Sequence, residues 1–502
     1  MNLLKHIPVL LLAFSMAGAQ SEKPFICGTE HVEELKQEML SNRELFKGVI
    51  HQRSAINYIP IKVHLVTDNE GNGAAPMLNV LKMLCSLNKA YADQNLQFYF
   101  KDIVTLKNST INDAPQSPGG SLQMALNKDT RAINIFITSK INKEGVAGYY
   151  LGPPGSSNDF IVIEKSYIAD VRVAPHEVGH YLTLPHTFHG WESAPWDPNI
   201  HGNPVTARLA PDGFTINELA DSSNCGTKNV GDGFCDTPAD YNFGANSCTF
   251  TLEVKDQKGN LLKPQTNNFM NYFFGCANYV FTNNQKEAVS NSYASNNRRD
   301  IRGTQPSNTT PISSPAKLLF PVGGVGTLTA DSVVLDWEDM PGATNSLVQY
   351  DVVPTFELFV VTNIVKESKL TIRKLTNLRT YHWRVIPYNE YSTCYADPAK
   401  SSFKAGGGTA TPDIPEVKSF LVAPNPLGGD KILRITLETK TSFTGSLSIT
   451  DIGGRKVLFQ SKEFFQSGNT SKAIDLNGVP SGVYFVSLAS AKGVSTRKLI
   501  LY

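Results

Sequence analysis

The chain has 502 residues, with 41% hydrophobic and 10% aromatic content, which is typical of a globular protein with several domains. Its formal net charge of +1 gives no support for binding to nucleic acid or to an anionic membrane. Seven cysteines are an odd number, so at least one lies outside intramolecular disulfides.

The N-terminus is typical of a secretory signal. An apolar run at 7–14 is followed by the small residues Ala17, Gly18 and Ala19, which form a cleavage site. We therefore predict a signal peptide at 1–19 and an exported chain that begins at Gln20. The apolar run is too short to span a bilayer, and no later stretch reaches that length.

Residues 20–53 are short, charged and poorly patterned for a core, and we interpret them as a pro-segment. One amphipathic helix is expected at 31–46, and Arg53–Ser54 is a candidate processing site. Cys27 either pairs with Cys85 or takes another role.

Residues 54–305 are predicted to form one α/β domain with a mixed sheet. Alternating apolar positions predict strands at 58–66, 96–100, 133–137 and 160–163, and helical spacing predicts a helix at 77–93. The strand at 160–163 is expected to be the sheet edge along which an extended peptide lies.

The stretch from His176 to His186 carries the chemistry. His176 and His180 are four residues apart, so a helix at about 171–183 places both imidazoles on one face. Glu177 follows the first histidine. This is the H-E-x-x-H arrangement, in which two histidines hold zinc and the glutamate acts on a water molecule.

The third histidine makes the prediction specific. His186 lies six residues past His180 and reaches the same metal only if the chain turns sharply after the helix, and Pro185 forbids an uninterrupted helix there. Three imidazoles leave one tetrahedral position for water, as in a catalytic zinc site. His189 belongs to the same histidine-rich stretch.

About eighty residues rich in Gly, Asn, Asp and Pro follow the zinc motif. Asp232, Asp236 and Thr237 offer hard oxygens suited to calcium, and the alternative is an ordinary Asp-Gly turn. Four cysteines cluster here, and they allow three connectivities. Our preferred pairs are Cys225–Cys235 and Cys248–Cys276.

The segment from Asn268 to Tyr272 is the next candidate. Met270 is a candidate to pack beneath the zinc ligands, although a methionine taken alone is more often an ordinary core residue. The Tyr272 hydroxyl could point back at the site, where it can donate to a developing oxyanion.

Two β-rich modules follow. Linkers are predicted at 306–314 and 406–415, and short alternating strands predict β-sandwiches at 315–405 and 416–502.

The chain resembles the metzincin metalloproteases, and most closely the pappalysin family in its cytophagalysin-like branch. The resemblance rests mainly on residues 27–29, 176–182, 186–188, 231–238 and 268–272. It implies a metzincin fold with a zinc-binding helix and an endopeptidase in which a zinc-bound water is activated by Glu177.

The same resemblance assigns roles to single residues. It implies His176, His180 and His186 as zinc ligands, Met270 as the Met-turn, and Tyr272 as a tyrosine at the zinc or oxyanion. It suggests a Cys248–Cys276 disulfide, and it gives Cys27 the role of capping the zinc in a zymogen. A thiolate is a good zinc ligand that displaces the catalytic water.

The module at 315–405 resembles a fibronectin type III-like sandwich. The last module is similar to the C-terminal sorting domains of proteins exported by the type IX (Por) secretion system of Bacteroidetes, through 423–426, 451–455 and 476–486. This resemblance implies a secreted or surface-exposed bacterial protein that engages the secretion machinery, whereas the metalloprotease resemblance implies a protein or peptide substrate.

Thr183 departs from the metzincin pattern, which usually has glycine there. Glycine reaches a positive φ without strain, whereas a β-branched threonine does not. Either Thr183 makes the turn with strain, or Leu184 and Pro185 shift it. The departure keeps open the alternative of a catalytically impaired, adhesive surface protein. A zinc hydrolase with a non-peptide substrate is a further alternative, but the expected sheet-edge strand beside the site favours a peptide.

Overall fold

The structure is a computed structural model that describes residues 26–49, 55–141, 145–244, 247–327, 329–395, 397–406, 414–452, 455–490 and 493–502. The chain divides into two compact units. Unit 1 runs to Ser314 and also includes Pro341–Thr344 and Tyr388–Ala396, and unit 2 holds the remaining C-terminal residues. The predicted signal peptide and the Arg53–Ser54 processing site lie outside the described residues.

The described part of unit 1 contains helices of very different lengths. The α-helices are α1 (Val32–Leu45), α2 (Met77–Ala90), α3 (Ser109–Asp113), α4 (Pro118–Asn127), α5 (Val173–Tyr181), α6 (Pro198–His201) and α7 (Asn283–Ala294), with 3-10 turns at Ala92–Gln94 and Asn296–Ile301.

One six-stranded sheet forms the centre of unit 1. Its strands are β1 (Ile26–Cys27), β2 (Asn57–Thr67), β3 (Leu96–Lys107), β4 (Ile133–Thr138), β5 (Val146–Tyr150) and β6 (Ile161–Glu164). The order is β1-β5-β6-β4-β2-β3, and β5 runs antiparallel to β6 while the other pairs are parallel. The expected mixed sheet is present.

Helix α2 supports the helix that carries the zinc motif. Its apolar residues recur at helical spacing, so Val80, Leu84 and Leu87 are all fully buried on one face. The Tyr91 hydroxyl, at the end of α2, donates to the carbonyl of Pro175 within α5 at 3.0 Å. The first turn of α5 is therefore fixed from outside.

The prediction that the strand at 160–163 forms a sheet edge is wrong. The strand at 160–163 corresponds to β6, which lies between β4 and β5 and is not an edge. Strand β5 comes from the glycine-rich stretch 145–152, and it carries the short strand β1 on its outer side. Glycines obscured this strand, since Gly148 has no side chain to contribute to the alternating pattern.

Unit 2 contains two β-modules. The first has a five-stranded sheet, β11-β10-β13-β14-β8, and a three-stranded sheet, β12-β9-β7. Both sheets contribute to one core, which includes Leu335 and Trp337 from one sheet and Trp383 and Phe403 from the other. The strands are β7 (Leu318–Phe320), β8 (Val325–Gly326), β9 (Ser332–Trp337), β10 (Asn345–Asp351), β11 (Val361–Val365), β12 (Lys369–Arg373), β13 (Thr380–Tyr388) and β14 (Lys400–Lys404).

The second module has sheets β15-β16-β19 and β18-β17-β20-β21 around a separate core. Its strands are β15 (Val417–Ala423), β16 (Ile432–Thr439), β17 (Phe443–Asp451), β18 (Lys456–Phe465), β19 (Gly468–Asp475), β20 (Gly482–Ser490) and β21 (Gly493–Leu501). The fold class, an α/β domain followed by β-sandwich modules, is confirmed.

Candidate metal centre

Helix α5 ends in a turn that redirects the chain. The amide of Thr183 donates to the carbonyl of His180, and the amide of Leu184 donates to that of Gly179, each at 2.9 Å. These two bonds define a Schellman motif, which needs a residue in the left-handed conformation.

Thr183 occupies that left-handed position, with φ of +71°. The turn is therefore made at Thr183 itself, which is the first of the two geometries considered for it. The side chain is almost fully buried, and its hydroxyl has no hydrogen-bond partner among the described residues. Both the backbone conformation and the unpaired hydroxyl of Thr183 therefore lower the stability of the folded chain.

The turn brings His186 back to the helix. Each of the three histidines presents Nδ1 to an oxygen: His176 to the carbonyl of Phe269 at 2.7 Å, and His180 to that of Leu184 at 2.7 Å. His186 Nδ1 faces Glu192 Oε1 at 3.3 Å. We assign the proton to Nδ1 in each ring, since only a donor satisfies these oxygens.

The Nε2 atoms then carry lone pairs, and they converge. His180 Nε2 lies 3.1 Å from Nε2 of both His176 and His186. Unprotonated nitrogens at this distance repel each other unless a cation lies between them. Tetrahedral zinc with bonds of about 2.0–2.1 Å places its nitrogens roughly 3.4 Å apart. The donor set therefore fits zinc.

Burial favours the neutral form of all three rings. It lowers the pKa of His176 and His180 well below the usual range, and it also lowers that of His186, where Glu192 opposes the shift. Neutral imidazole is the form that binds a metal.

Glu177 lies beside these nitrogens and is fully buried. Its Oε2 accepts a hydrogen bond from the Cys27 thiol at 3.6 Å, and its Oε1 has no hydrogen-bond partner among the described residues. Burial raises the pKa of Glu177 to about 8. With this pKa the carboxyl is mostly protonated at neutral pH, and a bound metal cation would favour its ionised form, which can accept a proton.

Cys27 joins the three histidines. Its Sγ and the histidine ligand atoms all lie within 4.8 Å of one another, and all four residues are buried. Strand β1 holds the thiol in place, since Ile26 and Gly28 donate to carbonyls of residues 145 and 148. Burial and the nearby Glu177 raise the pKa of the thiol, whereas a bound metal cation would deprotonate it.

Met270 packs under the helix. It is fully buried, and a Cβ added at Gly179 would lie 2.5 Å from its Sδ. The same segment also positions the ligands, because the Phe269 carbonyl accepts from His176 and the Met270 carbonyl from the Thr187 amide.

Tyr272 lies over the site. Its ring centre is 5.4 Å from that of His186, and its hydroxyl donates to the backbone carbonyl of Cys27 at 3.3 Å. Burial raises the pKa of Tyr272 well above its usual value, so the hydroxyl keeps its proton. It is therefore placed to donate to an oxygen at this position.

The candidate calcium residues are only partly brought together. Thr237 Oγ1 donates to Asp232 Oδ1 at 3.0 Å, but the carboxylate of Asp236 accepts from Thr282 and Asn284 at the start of α7. Asp236 thus acts as a helix cap.

Glu218 takes the place beside Asp232 that was expected for Asp236. Asp232 Oδ2 and Glu218 Oε1 are buried without partners among the described residues. Burial raises the pKa of both carboxyls, and the charge of Asp232 raises that of Glu218 further, whereas the nearby Lys36 ammonium opposes both shifts.

Three disulfides are present among the described cysteines. They are Cys225–Cys235, Cys248–Cys276 and Cys85–Cys394. Cys27 is free, so the alternative of a Cys27–Cys85 disulfide is wrong. The partner of Cys85 was missed because it lies 309 residues away in sequence.

Sequence reasoning also missed a polar network behind His186. Glu192, in a loop, contacts both His186 and His189, and His189 Nε2 contacts Glu33 of α1 at 2.8 Å. The unusual density of histidines at 176–189 was the available signal, but it does not reveal which carboxylates lie nearby.

Comparison with known proteins adds two findings. Residues 421–502 match the family model of the secretion system C-terminal sorting domain. Extracellular metalloproteases are similar to part of the chain: one from Neurospora crassa is 29% identical over 35% of this chain and 68% of its own length. Another, from Pyricularia oryzae, is 26% identical over 38% of this chain and 74% of its own.

Among solved structures, a promirolysin variant from Tannerella forsythia is similar, with a TM-score of 0.36 and 18% identity over 55% of this chain and 97% of that chain. No helix in the described ranges combines the length and apolarity needed to cross a membrane. The resemblance to secreted metalloproteases is confirmed, and the chain carries a C-terminal sorting domain of a secretion system.

Proposed function

We propose that the chain is a secreted zinc endopeptidase held latent by its own pro-segment. The observation that carries the proposal is the convergence of three imidazole lone pairs beside the buried carboxyl of Glu177. His176, His180 and His186 would hold the zinc. When bound, zinc supplies a Lewis acid that polarises a carbonyl and lowers the pKa of water.

The remaining steps belong to the protein. Glu177 takes a proton from the attacking water and returns it to the leaving amine, which its position beside the three histidines supports. Tyr272 donates to the oxygen of the scissile carbonyl, in the way that it now donates to the carbonyl of Cys27. The extended substrate takes the place of β1 along β5.

Latency follows from the same contacts. Cys27 supplies the fourth ligand, and β1 covers the edge of β5, so the pro-segment blocks both the metal and the substrate strand. The geometry at Thr183 supports an active enzyme over an impaired one, since the turn still delivers His186 to the other two nitrogens.

Casein hydrolysis by the full chain tests this proposal, before and after limited trypsin treatment to cleave at the predicted processing site Arg53. We expect activity only after cleavage, its loss with a chelator, and its return with zinc. Glu177→Ala should lower the rate by at least about 100-fold, because it removes the general base. Equal rates of hydrolysis by the wild-type chain and the Glu177→Ala variant would exclude the mechanism. An absence of hydrolysis by the cleaved, zinc-loaded wild-type chain would favour the adhesive alternative.

We also propose that calcium binds at Asp232 and Glu218 rather than at Asp236. Two buried carboxyls with unpartnered oxygens and raised pKa values would be stabilised by a divalent cation.

Calcium should therefore raise the melting temperature of the full chain, and Asp232→Asn should abolish this rise. Asp236→Asn is the matched control. It weakens the cap of α7 and should lower the melting temperature equally with and without calcium. A calcium response that Asp232→Asn leaves intact would exclude this site.

A further inference from the structure

A chain of four side chains connects the pro-segment helix to one of the candidate metal ligands. Glu33 Oε2 lies 2.8 Å from His189 Nε2, and His189 Nδ1 lies 3.4 Å from Glu192 Oε1. The same Glu192 oxygen is 3.3 Å from Nδ1 of His186. The contacts alternate between carboxylate and imidazole, from α1 to the metal ligand.

The network is ordered by the backbone. Glu192 Oε2 accepts from the amide of Gly190 at 2.8 Å, which leaves Oε1 for the two imidazoles. His189 is buried, with 3% of its side chain exposed, whereas Glu33 is about half exposed at 55%. Glu33 is therefore a solvent-exposed residue of the pro-segment that contacts a buried network, and the other members of this network lie outside the pro-segment.

The imidazole of His189 lies between two carboxylates. Its Nε2 faces Glu33 and its Nδ1 faces Glu192, and Glu192 also contacts Nδ1 of the candidate ligand His186, which it can orient.

We propose that His189 is a second docking residue for the pro-segment, separate from Cys27, and that Glu192 couples this docking to metal binding through His186. The inference rests on the proposed latent metal site and adds a positioning residue to it. Because Glu192 is shared, Glu33 and the metal should favour each other's binding.

Alkylation of Cys27 in the intact, zinc-loaded chain measures release of the pro-segment. Cys27 is the free cysteine of the chain, so iodoacetamide labelling followed by peptide mass spectrometry reports it specifically. We expect Glu33→Ala to raise the labelling rate by roughly three- to tenfold, as for a half-exposed charged hydrogen bond. Glu34→Ala is the matched control, since Glu34 is exposed on the same helix and, within the described part of the chain, forms an ion pair only with the exposed His31.

His189→Gln should raise the labelling rate to a similar extent, and the double variant with Glu33→Ala should add little, because both changes remove one contact. Equal labelling of Glu33→Ala and Glu34→Ala would overturn the docking role of His189. The docking role would also be overturned if the increases in labelling rate caused by Glu33→Ala and His189→Gln multiplied fully in the double variant.

Zinc affinity tests the coupling without the thiol. In a Cys27→Ala background, Glu33→Ala should weaken zinc binding by a few-fold relative to Glu34→Ala, measured by chelator competition. Glu192→Gln should weaken it by roughly 10- to 100-fold while the melting temperature of the zinc-free chain changes little. Equal affinities in the first pair would overturn the coupling.

Neither measurement requires peptide hydrolysis. A chain that binds zinc and shows these effects but does not cleave casein would contradict the proposed enzyme function and leave the docking role of His189 and its coupling to the metal intact. A chain that cleaves casein but shows none of these effects would contradict only the docking and the coupling.

Discussion

Thr183 lowers the stability of the folded chain at the turn that forms the candidate metal site. The turn after α5 requires a positive φ, and the residue there has a branched Cβ and a buried hydroxyl without a partner among the described residues. A left-handed conformation costs an L-residue about 1–2 kcal/mol. The residue that places His186 near the other two histidines therefore makes the folded chain less stable.

Thr183→Gly should stabilise the zinc-free chain by about 1 kcal/mol, since relief of strain and of the unpaired hydroxyl exceeds the entropic cost of glycine. Urea denaturation measures the difference. Thr183→Ala removes only the hydroxyl and the branching, so it should lie between glycine and threonine. A glycine variant less stable than wild type would show that the turn is not strained.

At the residue level, the placement of His176, Glu177 and His180 in one site could be predicted from spacing, because they share a helix whose periodicity is known in advance. The Nδ1 partners of His176 and His186 could not be predicted, because Phe269 and Glu192 come from loops whose paths depend on tertiary packing.

At the element level, α5 and the Met270 segment fit together without spare volume. Gly179 faces Met270, and any side chain at 179 would collide with its Sδ. The helix can thus approach the turn below it only because residue 179 is glycine, which ties the position of the ligands to this contact.

Gly179→Ala should destabilise the chain by about 1–3 kcal/mol through overpacking. Met270→Ala alone leaves a cavity, but combined with Gly179→Ala it provides room for the new methyl group. The double variant should therefore be more stable than the sum of the single effects predicts, by at least about 0.5 kcal/mol in a double-mutant cycle. Strict additivity would mean that the two residues do not share this space.

The elements themselves were predicted unevenly. Strands β2 and β4 and helices α1 and α2 follow their apolar periodicity and lie close to the expected positions. Strand β5 was missed and β6 was misplaced as an edge, since neither glycine-rich strands nor strand order leaves a clear trace in local sequence.

At the level of the whole molecule, unit 1 is assembled from distant parts of the sequence. Residues 388–396 belong to it, and they contribute a disulfide from Cys394 to Cys85 and a hydrogen bond from the amide of Phe100 to the carbonyl of Glu390. The predicted domain of 54–305 lacks this segment, because a contact over 309 residues leaves no local pattern.

A chain that ends at Gln305 should therefore be less stable than one that ends at Gly406. Loss of a disulfide that closes so long a loop removes about 5–6 kcal/mol in the chain-entropy model. Thermal melting of both chains measures the difference. The control is Cys85→Ser with Cys394→Ser in the longer chain, which should account for most of it. Equal melting temperatures would show that residues 388–396 do not stabilise unit 1.

The Cys85–Cys394 bond also determines how a cleaved molecule behaves. It closes a covalent ring from residue 85 to residue 394, and the linker predicted at 306–314 lies inside this ring. A single cut within the ring opens it but separates nothing, so the fragments migrate as one species on a gel without reductant and as two with it. Maturation or damage at that linker would therefore go unnoticed by size under oxidising conditions, and the two halves of a nicked chain would stay together outside the cell.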